Sequence, residues 1–345
     1  MRSILMITPY LKQPRGNSIT VNRLKSHLSA RGYMVDILSL DDNNPGNALK
    51  RALNTGKYEI IHGFHARHMA LLLQDIPQIS RFPVVLTMTG TDINYDLKGA
   101  NRDLLARMIM LSTYVVIFND LFSQPLLDLF PDIASKLITI PQGVHLPPAP
   151  LVKRSDLNIN ADDFVFLLPS GLRPVKNLEL AIRAIEKLHS AHATVRLLIM
   201  GAAIEESYGY RIRRRIAGLD FIKYLGEIPH HRLYGYLALG NAVINCSLAE
   251  GQPQGALEAM SLMMPAILTD VPGNRGVMEH GVHGFYVTDE DSLVRFAGQL
   301  VRDRQLATQM GRAAGELIKS RFDLKRELDS YCRLYESITD DEIKY

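Results

Sequence analysis

The chain is poor in cysteine: Cys246 and Cys332 are its only two. That excludes a disulfide framework and a structural zinc cluster, and a reducing compartment is the default. No apolar run approaches the roughly 20 residues needed to cross a bilayer. The apolar part of the opening MRSILMITPY is too short for a signal-peptide core and lacks a small-residue cleavage site, so it reads as a buried first strand. These absences predict a cytoplasmic protein, with peripheral membrane contact left open. Charge of one sign is scarce as well. A net charge of +3 over 345 residues argues against a dedicated nucleic-acid binder. Arg211, Arg213, Arg214 and Arg215 do cluster, but no stacking aromatics are interleaved, and they read as a solvated helix face rather than an anion site. Glycine (24) and proline (17) stay at background levels, which excludes collagen-like or low-complexity structure. No Gly-x-Gly-x-x-Gly follows the first strand, no Gly-Lys-Ser/Thr loop occurs, and there is no Gly-x-Ser-x-Gly elbow. A nicotinamide dehydrogenase, a P-loop NTPase and a serine hydrolase are therefore disfavoured.

What the chain does contain is alternation. Short apolar, β-branched runs at Ser3–Thr8, Val35–Leu40, Glu59–His62, Val84–Met88, Tyr114–Phe118 and Leu137–Ile140 are separated by helical patterns, the first over Ser18–Arg31 and closed by Gly32. Near-continuous apolar strands between helices predict a parallel sheet covered on both faces. The segment HLPPA at 145–149 breaks the pattern. Alternation then restarts, with strands at Phe164–Leu168, Val195–Gly201, Phe221–Leu225, Ala242–Cys246, Pro265–Thr269 and Phe285–Val287. Helices are predicted at Asn177–Leu188 and Gly255–Leu262, and a helical tail over Asp291–Ile338. The expectation is two doubly wound α/β domains, 1–148 and 149–321, facing each other across a ligand-binding cleft at the carboxyl ends of their strands.

The strongest local signal is SLAEGQPQGALEAM, residues 247–260. A buried strand feeds a glycine-containing loop that opens a helix. Free N–H groups at such a turn suit an anion. Glu250 in the loop and Glu258 one to two turns into the helix can face the same cleft. Carboxylates that coexist with a phosphate suggest sugar hydroxyls as their partners. A second loop, GLRPVKN at 171–177, places Arg173 and Lys176 at a helix start. Three histidines, His62, His65 and His68, are spaced by three, but no cysteine or acid stands near them, and a metal site is not expected.

Together these segments, with PAILTDVPGNRGVMEHGVHGFYV at 265–287, resemble the Glu-x7-Glu signature region of the group 1 glycosyltransferases. These are retaining enzymes built as two Rossmann-like domains in the GT-B arrangement. The resemblance spans most of the chain and is densest in its second half. It implies that Arg173 and Lys176 clamp the donor diphosphate, a task that suits a bidentate Arg and a point-charge Lys. It implies that Glu250 binds the donor sugar beside the reacting carbon, and that Glu258 holds the ribose hydroxyls. Gln252, Pro253, Gln254 and Gly255 would lie against sugar and diphosphate, with the N–H groups of Gln252 and Gln254 available. The backbone at Glu227 and Ile228 would meet the base. Gly16 and Asn17 stand where the family has a glycine-rich loop; a phosphate contact and a plain strand–helix turn are both open, and Asn17 or Ser18 caps the helix either way. His65 and Asp92 fall on the acceptor side. A C-terminal helix, 322–345, would rejoin the first domain, and its stripe of Leu324, Leu328, Tyr331 and Leu334 has the helical period.

Two positions depart from the family pattern. Thr89 stands where many members carry His, and Gly276 where a Glu is usual. The function implied is transfer of a sugar from a nucleotide diphosphate sugar, UDP-linked by family frequency, to an unidentified acceptor, without a metal or other cofactor. The alternatives are a catalytically silent sugar-nucleotide-binding protein and transfer to a sulfur or selenium nucleophile.

Overall fold

The computed structural model describes residues 2–12 and 16–338. The chain divides into two compact units, one drawn from Met1–Gly143 and Leu324–Tyr345, the other Val144–Asp323.

The first unit is a six-stranded parallel sheet of β1 (Ser3–Thr8), β2 (Met34–Ser39), β3 (Ile60–Phe64), β4 (Val84–Thr87), β5 (Tyr114–Ile117) and β6 (Leu137–Thr139), in the order β2-β1-β3-β4-β5-β6. Alternation along β1 explains why both faces are covered. Leu5 and Ile7 join the core that includes Leu49, Met69 and Met108. Ile4 and Met6 join the opposite core, with Val21, Leu24, Tyr331 and Tyr335. Those two tyrosines come from the Leu324–Ser337 helix. Its buried Glu327 pairs with buried Arg23, which also donates to the Gly143 carbonyl. Burial pushes the Glu327 carboxyl up, while the Arg23 charge and hydrogen bonds at Gly143 and Arg23 pull the other way.

The second unit repeats the architecture with β7 (Phe164–Pro169), β8 (Val195–Met200), β9 (Ile222–Tyr224), β10 (Ala242–Asn245), β11 (Ala266–Thr269) and β12 (Gly284–Val287), ordered β12-β11-β10-β7-β8-β9 and all parallel. Phe164, Phe166 and Leu168 face one core, Val165 and Leu167 the other. This unit is entered and left at one place. The Val144 N–H donates to the Phe322 carbonyl at 2.8 Å, and Val144 pairs with Asp323.

The strands fall where the apolar runs predict, within a residue or two. Three differences concern helices. Pro45–Leu53 forms a helix the periodicity did not reveal; its signals are Pro45 in the first turn and the Asn44 side chain accepting from the Asn47 N–H. His230–Leu237 is a second such helix. The predicted continuous helical tail is instead Glu290–Arg302, Arg304–Arg321 and Leu324–Ser337. Asp303 leaves helical geometry between the first two and its side chain caps the second by accepting from the Leu306 N–H. Residues 339–345 of the predicted C-terminal helix lie outside the described residues. Among the described residues, no helix is long and apolar enough to cross a membrane.

Candidate active site

The topology of the second unit creates one special edge. From β7 the chain builds outward through β8 and β9, then returns to the other flank of β7 with β10 and continues to β11 and β12. Loops leaving β7 and β10 therefore diverge from adjacent strand ends, the place where open parallel sheets leave a crevice. The β7 loop carries Arg173 and Lys176, and the β10 loop carries Glu250. The sheet thus brings together residues that are 74 positions apart: Lys176 Nζ donates to Glu250 Oε1 at 2.5 Å, with side chains 15% and 8% exposed. The Leu248 N–H donating to the Val175 carbonyl at 2.8 Å ties the two loops in the same place.

Glu250 is held by more than Lys176. Its Oε1 also accepts from Ser247 Oγ at 2.7 Å and from Asn245 Nδ2 at 3.0 Å. Burial pushes this carboxyl up, but the Lys176 charge and the bonds from Asn245, Lys176 and Ser247 outweigh it. The carboxyl lies below its ordinary range and is ionised at neutral pH. Gly273 packs so close behind that a Cβ there would lie 2.0 Å from the Glu250 carbonyl oxygen, which explains the glycine. Next to it, fully buried Asn274 donates to the Thr269 carbonyl at 2.9 Å, and Thr269 Oγ1 donates to the Ser247 carbonyl at 2.6 Å. Asn245, Ser247, Thr269 and Asn274 are supporting residues that pattern reading missed. Only Ser247 had a visible signal, as the polar residue ending an apolar strand.

Arg173 differs from Lys176. Its side chain makes no hydrogen bond or ion pair among the described residues, and its Nε is buried without a partner. Unsatisfied buried donors are rare and call for an explanation.

The Gln252–Gly255 turn follows. Gln252 is buried, and its amide donates to Gln254 Oε1 at 3.3 Å. The expectation that the Gln254 N–H is available is corrected here: it donates to the Gln252 carbonyl at 2.9 Å, closing the turn on itself. Gly255 lets the helix start approach β7, since a Cβ would sit 2.9 Å from the Pro169 carbonyl. The Gln254–Met260 helix has seven residues, so the dipole of so short a helix is small and charge at this edge comes mainly from side chains. Glu258 on that helix is buried and lies 2.8 Å from His230 Nε2. Glu227 is exposed and Ile228 half-buried, two residues before His230.

The remaining candidates belong to the first unit. Gly16 and Asn17 lie in the first turn of the Gly16–Ala30 helix, so the predicted cap at Asn17 or Ser18 is displaced: both are already helical. The three histidines disperse. His62 on β3 is sealed, with Nδ1 2.7 Å from the Tyr335 hydroxyl and Nε2 2.7 Å from Thr87 Oγ1; burial pulls its pKa down to about 3. His65 turns the chain from β3 into the next helix with a φ of 76°, a left-handed conformation uncommon outside glycine. Its Nε2 is 2.9 Å from Thr91 Oγ1, its Nδ1 is buried without a hydrogen-bond partner, and Asp92 Oδ2 lies 4.0 Å from that Nδ1. His68 sits on the Ala66–Asp75 helix against the His65 ring. Asp92 is fully buried and accepts from the N–H groups of Ala66, Thr89, Gly90 and Ile93. Thr89 therefore serves this turn through its backbone. Gly276 has a φ of 75°, a backbone conformation that disfavours the Glu the resemblance leads one to expect there.

The arginine cluster proves locally neutralised. Arg211 pairs with Glu179 at 3.3 Å, Arg213 with Glu206 and Arg215 with Glu186, while Arg214 lies over the Tyr210 ring. Cys246 is core, and burial pushes its thiol up to about 12.

Residues 152–317 match the model of the family described as glycosyl transferases group 1. The chain is 24% identical over 333 residues to "Glycosyltransferase 1 domain-containing protein 1" of Xenopus tropicalis, covering 93% of this chain and 94% of the relative. Among solved structures, a sucrose-phosphate synthase from Thermosynechococcus elongatus superposes with a TM-score of 0.82 at 19% identity, covering 98% of this chain and 99% of the other. HepE of Anabaena, in complex with UDP and glucose, superposes with a TM-score of 0.80 at 19% identity, covering 98% and 100%. These likenesses establish the fold as GT-B, with two Rossmann-like parallel-sheet units.

Proposed function

We propose that the protein is a retaining group 1 glycosyltransferase that takes its sugar from a nucleoside diphosphate sugar, UDP-linked, and passes it to an acceptor still to be identified. The observation that carries this reading is Arg173: a guanidinium with no partner among the described residues, on the same β7 loop as the Lys176 that pairs with Glu250, at the strand-end crevice of the second unit. A planar fork and an ammonium carried on one loop suit the oxygens of a diphosphate. HepE, which has the same fold, is seen with UDP and glucose. The match to the group 1 family model covers this same segment.

On this reading Glu250, ionised and fixed by three donors, accepts hydroxyl hydrogen bonds from the sugar. Glu258 does the same for the ribose. Arg173 and Lys176 carry the charge that grows on the diphosphate as the bond to the anomeric carbon breaks. Glu250 is committed to Lys176, Ser247 and Asn245 and does not stand as a free nucleophile. Attack by the acceptor on the face the diphosphate leaves, with a leaving-group oxygen taking its proton, accounts for retention. Two cations in place also make metal-independent turnover the expectation.

The test is donor turnover against a panel of nucleotide sugars, read as released nucleoside diphosphate. Wild-type protein hydrolyses one donor slowly, EDTA leaves the rate unchanged, and Arg173→Ala lowers it by about a hundredfold or more. Undiminished turnover in Arg173→Ala removes the clamp. Tight nucleotide binding without turnover on any donor or acceptor establishes a silent binding protein instead.

A further inference from the structure

Glu258 poses a problem of aim. Its side chain is only 6% exposed, yet the bond from His230 Nε2 to its Oε1 is the sole side-chain partner it has among the described residues, and Oε2 takes none. The remaining lone pairs of so enclosed a carboxylate are left to water or to a ligand. An ionised carboxylate can only accept, so His230 Nε2 carries the hydrogen of this bond.

The placement of His230 is as specific as the contact. It is the first residue of the His230–Leu237 helix, directly after Pro229, whose carbonyl accepts from the Arg232 N–H at 2.8 Å. It lies two residues beyond Ile228, in the segment assigned to the base, and reaches 28 positions along the chain to the helix that carries Glu258. One imidazole therefore joins the turn after β9 to the helix after β10.

Resting on the nucleotide reading above, we infer that His230 is a positioning residue that sets ribose recognition. It holds Oε1 so that the carboxylate presents a fixed edge to the vicinal 2′- and 3′-hydroxyls. A glutamate has three side-chain torsions, and one fixed bond removes most of that freedom before ligand arrives. Oε2 and the remaining lone pair on Oε1 then accept both hydroxyl protons together. A hydroxyl pair that meets an aimed carboxylate is strongly distinguished from a deoxyribose, because a missing hydroxyl leaves the buried acceptor unpaired. His230 need not touch the nucleotide to do this.

The test measures affinity by titration calorimetry for the pairs UDP and 2′-deoxy-UDP, GDP and 2′-deoxy-GDP, and ADP and 2′-deoxy-ADP. Three variants accompany the wild type: His230→Leu, which removes the donor, His230→Gln, which keeps one, and Glu258→Gln. Wild type prefers the ribose form of its nucleotide by about tenfold or more, the size expected for a hydrogen bond to a charged group. His230→Leu brings that preference under about threefold by weakening the ribose form alone, and His230→Gln restores most of it. A merely structural role for His230 would weaken both forms equally, and that result overturns the inference. So does a full preference in His230→Leu alongside a lost one in Glu258→Gln. If wild type binds none of the six nucleotides, the nucleotide reading itself has failed and this inference falls with it; if Glu258→Gln keeps the preference, the nucleotide reading stands but the ribose is read elsewhere and this inference is overturned.

Discussion

The two sheets reverse direction in the same manner, between β1 and β3 in the first unit and between β7 and β10 in the second, yet the polar groups at the two reversals are in opposite states. In the first, His62 spends both ring nitrogens on Tyr335 and Thr87, and Asp92 is filled by four backbone N–H groups. In the second, the Arg173 side chain lacks a partner among the described residues, and there the Glu258 carboxylate is bonded through Oε1 alone. The difference teaches that topology supplies a crevice wherever strand order reverses, while hydrogen-bond saturation decides whether its polar groups serve the scaffold or a ligand. Among the described residues of the first unit, His65, with an unpartnered buried nitrogen and left-handed backbone, departs from this saturation.

The comparison breaks most easily at Lys176. Lys176→Met leaves Glu250 charged, buried and missing its cation. It should cost about 3–5 kcal/mol of stability and lower kcat/KM for donor turnover by about 10²–10³-fold. Chemical denaturation and steady-state kinetics on one preparation check both. A variant that is stable and active shows that the second reversal does not depend on this pair.

Asp92→Ala probes the first unit. Four amides lose their acceptor at once, and a loss of at least about 2 kcal/mol is expected in urea unfolding. An unchanged unfolding midpoint would mean that the carboxylate is not the scaffold it resembles, and the contrast between the units would weaken.

Per pH unit, the smallest effect is the acid slope from His62. Its pKa falls from an ordinary 6.5 to about 3 on folding. Above pH 6.5 the ring is neutral in both states and contributes no pH dependence. As pH drops from 6.5 toward 3 the unfolded chain takes up a proton that the folded one refuses, so stability falls by up to about 1.4 kcal/mol per pH unit. Below 3 the term is constant. His62→Gln, compared with wild type in denaturation curves across that range, should show the shallower acid slope.

Much of the fold was legible because parallel strands buried on both faces leave unbroken apolar runs such as SILMIT and FVFLLP. The Pro45–Leu53 helix was not, since its buried face rests on only Leu49 and Leu53. At the site, the segments bearing Arg173, Lys176, Glu250 and Glu258 stood out by residue type together with the family resemblance. Which of those charges are already paired could not, because the Lys176–Glu250 contact depends on β7 and β10 being neighbours despite the β8 and β9 excursion between them. His230 was invisible for the same reason: nothing near it in sequence announces a carboxylate 28 positions away. The availability of the Gln254 N–H failed for a local reason, a tight turn that consumes its own donor.

The bridge joining Val144 to Phe322 and Asp323 means that residues 144–323 begin and finish at neighbouring points. A segment bounded in this way behaves as a cassette. A recombination event, natural or engineered, that trades it for a relative's needs two cuts but only one junction in space. Arg23, Gly143 and Glu327 all lie on the recipient side of that seam. A chimaera would therefore inherit the fastening of the C-terminal helix from its host and the loops of Arg173, Lys176 and Glu250 from its guest.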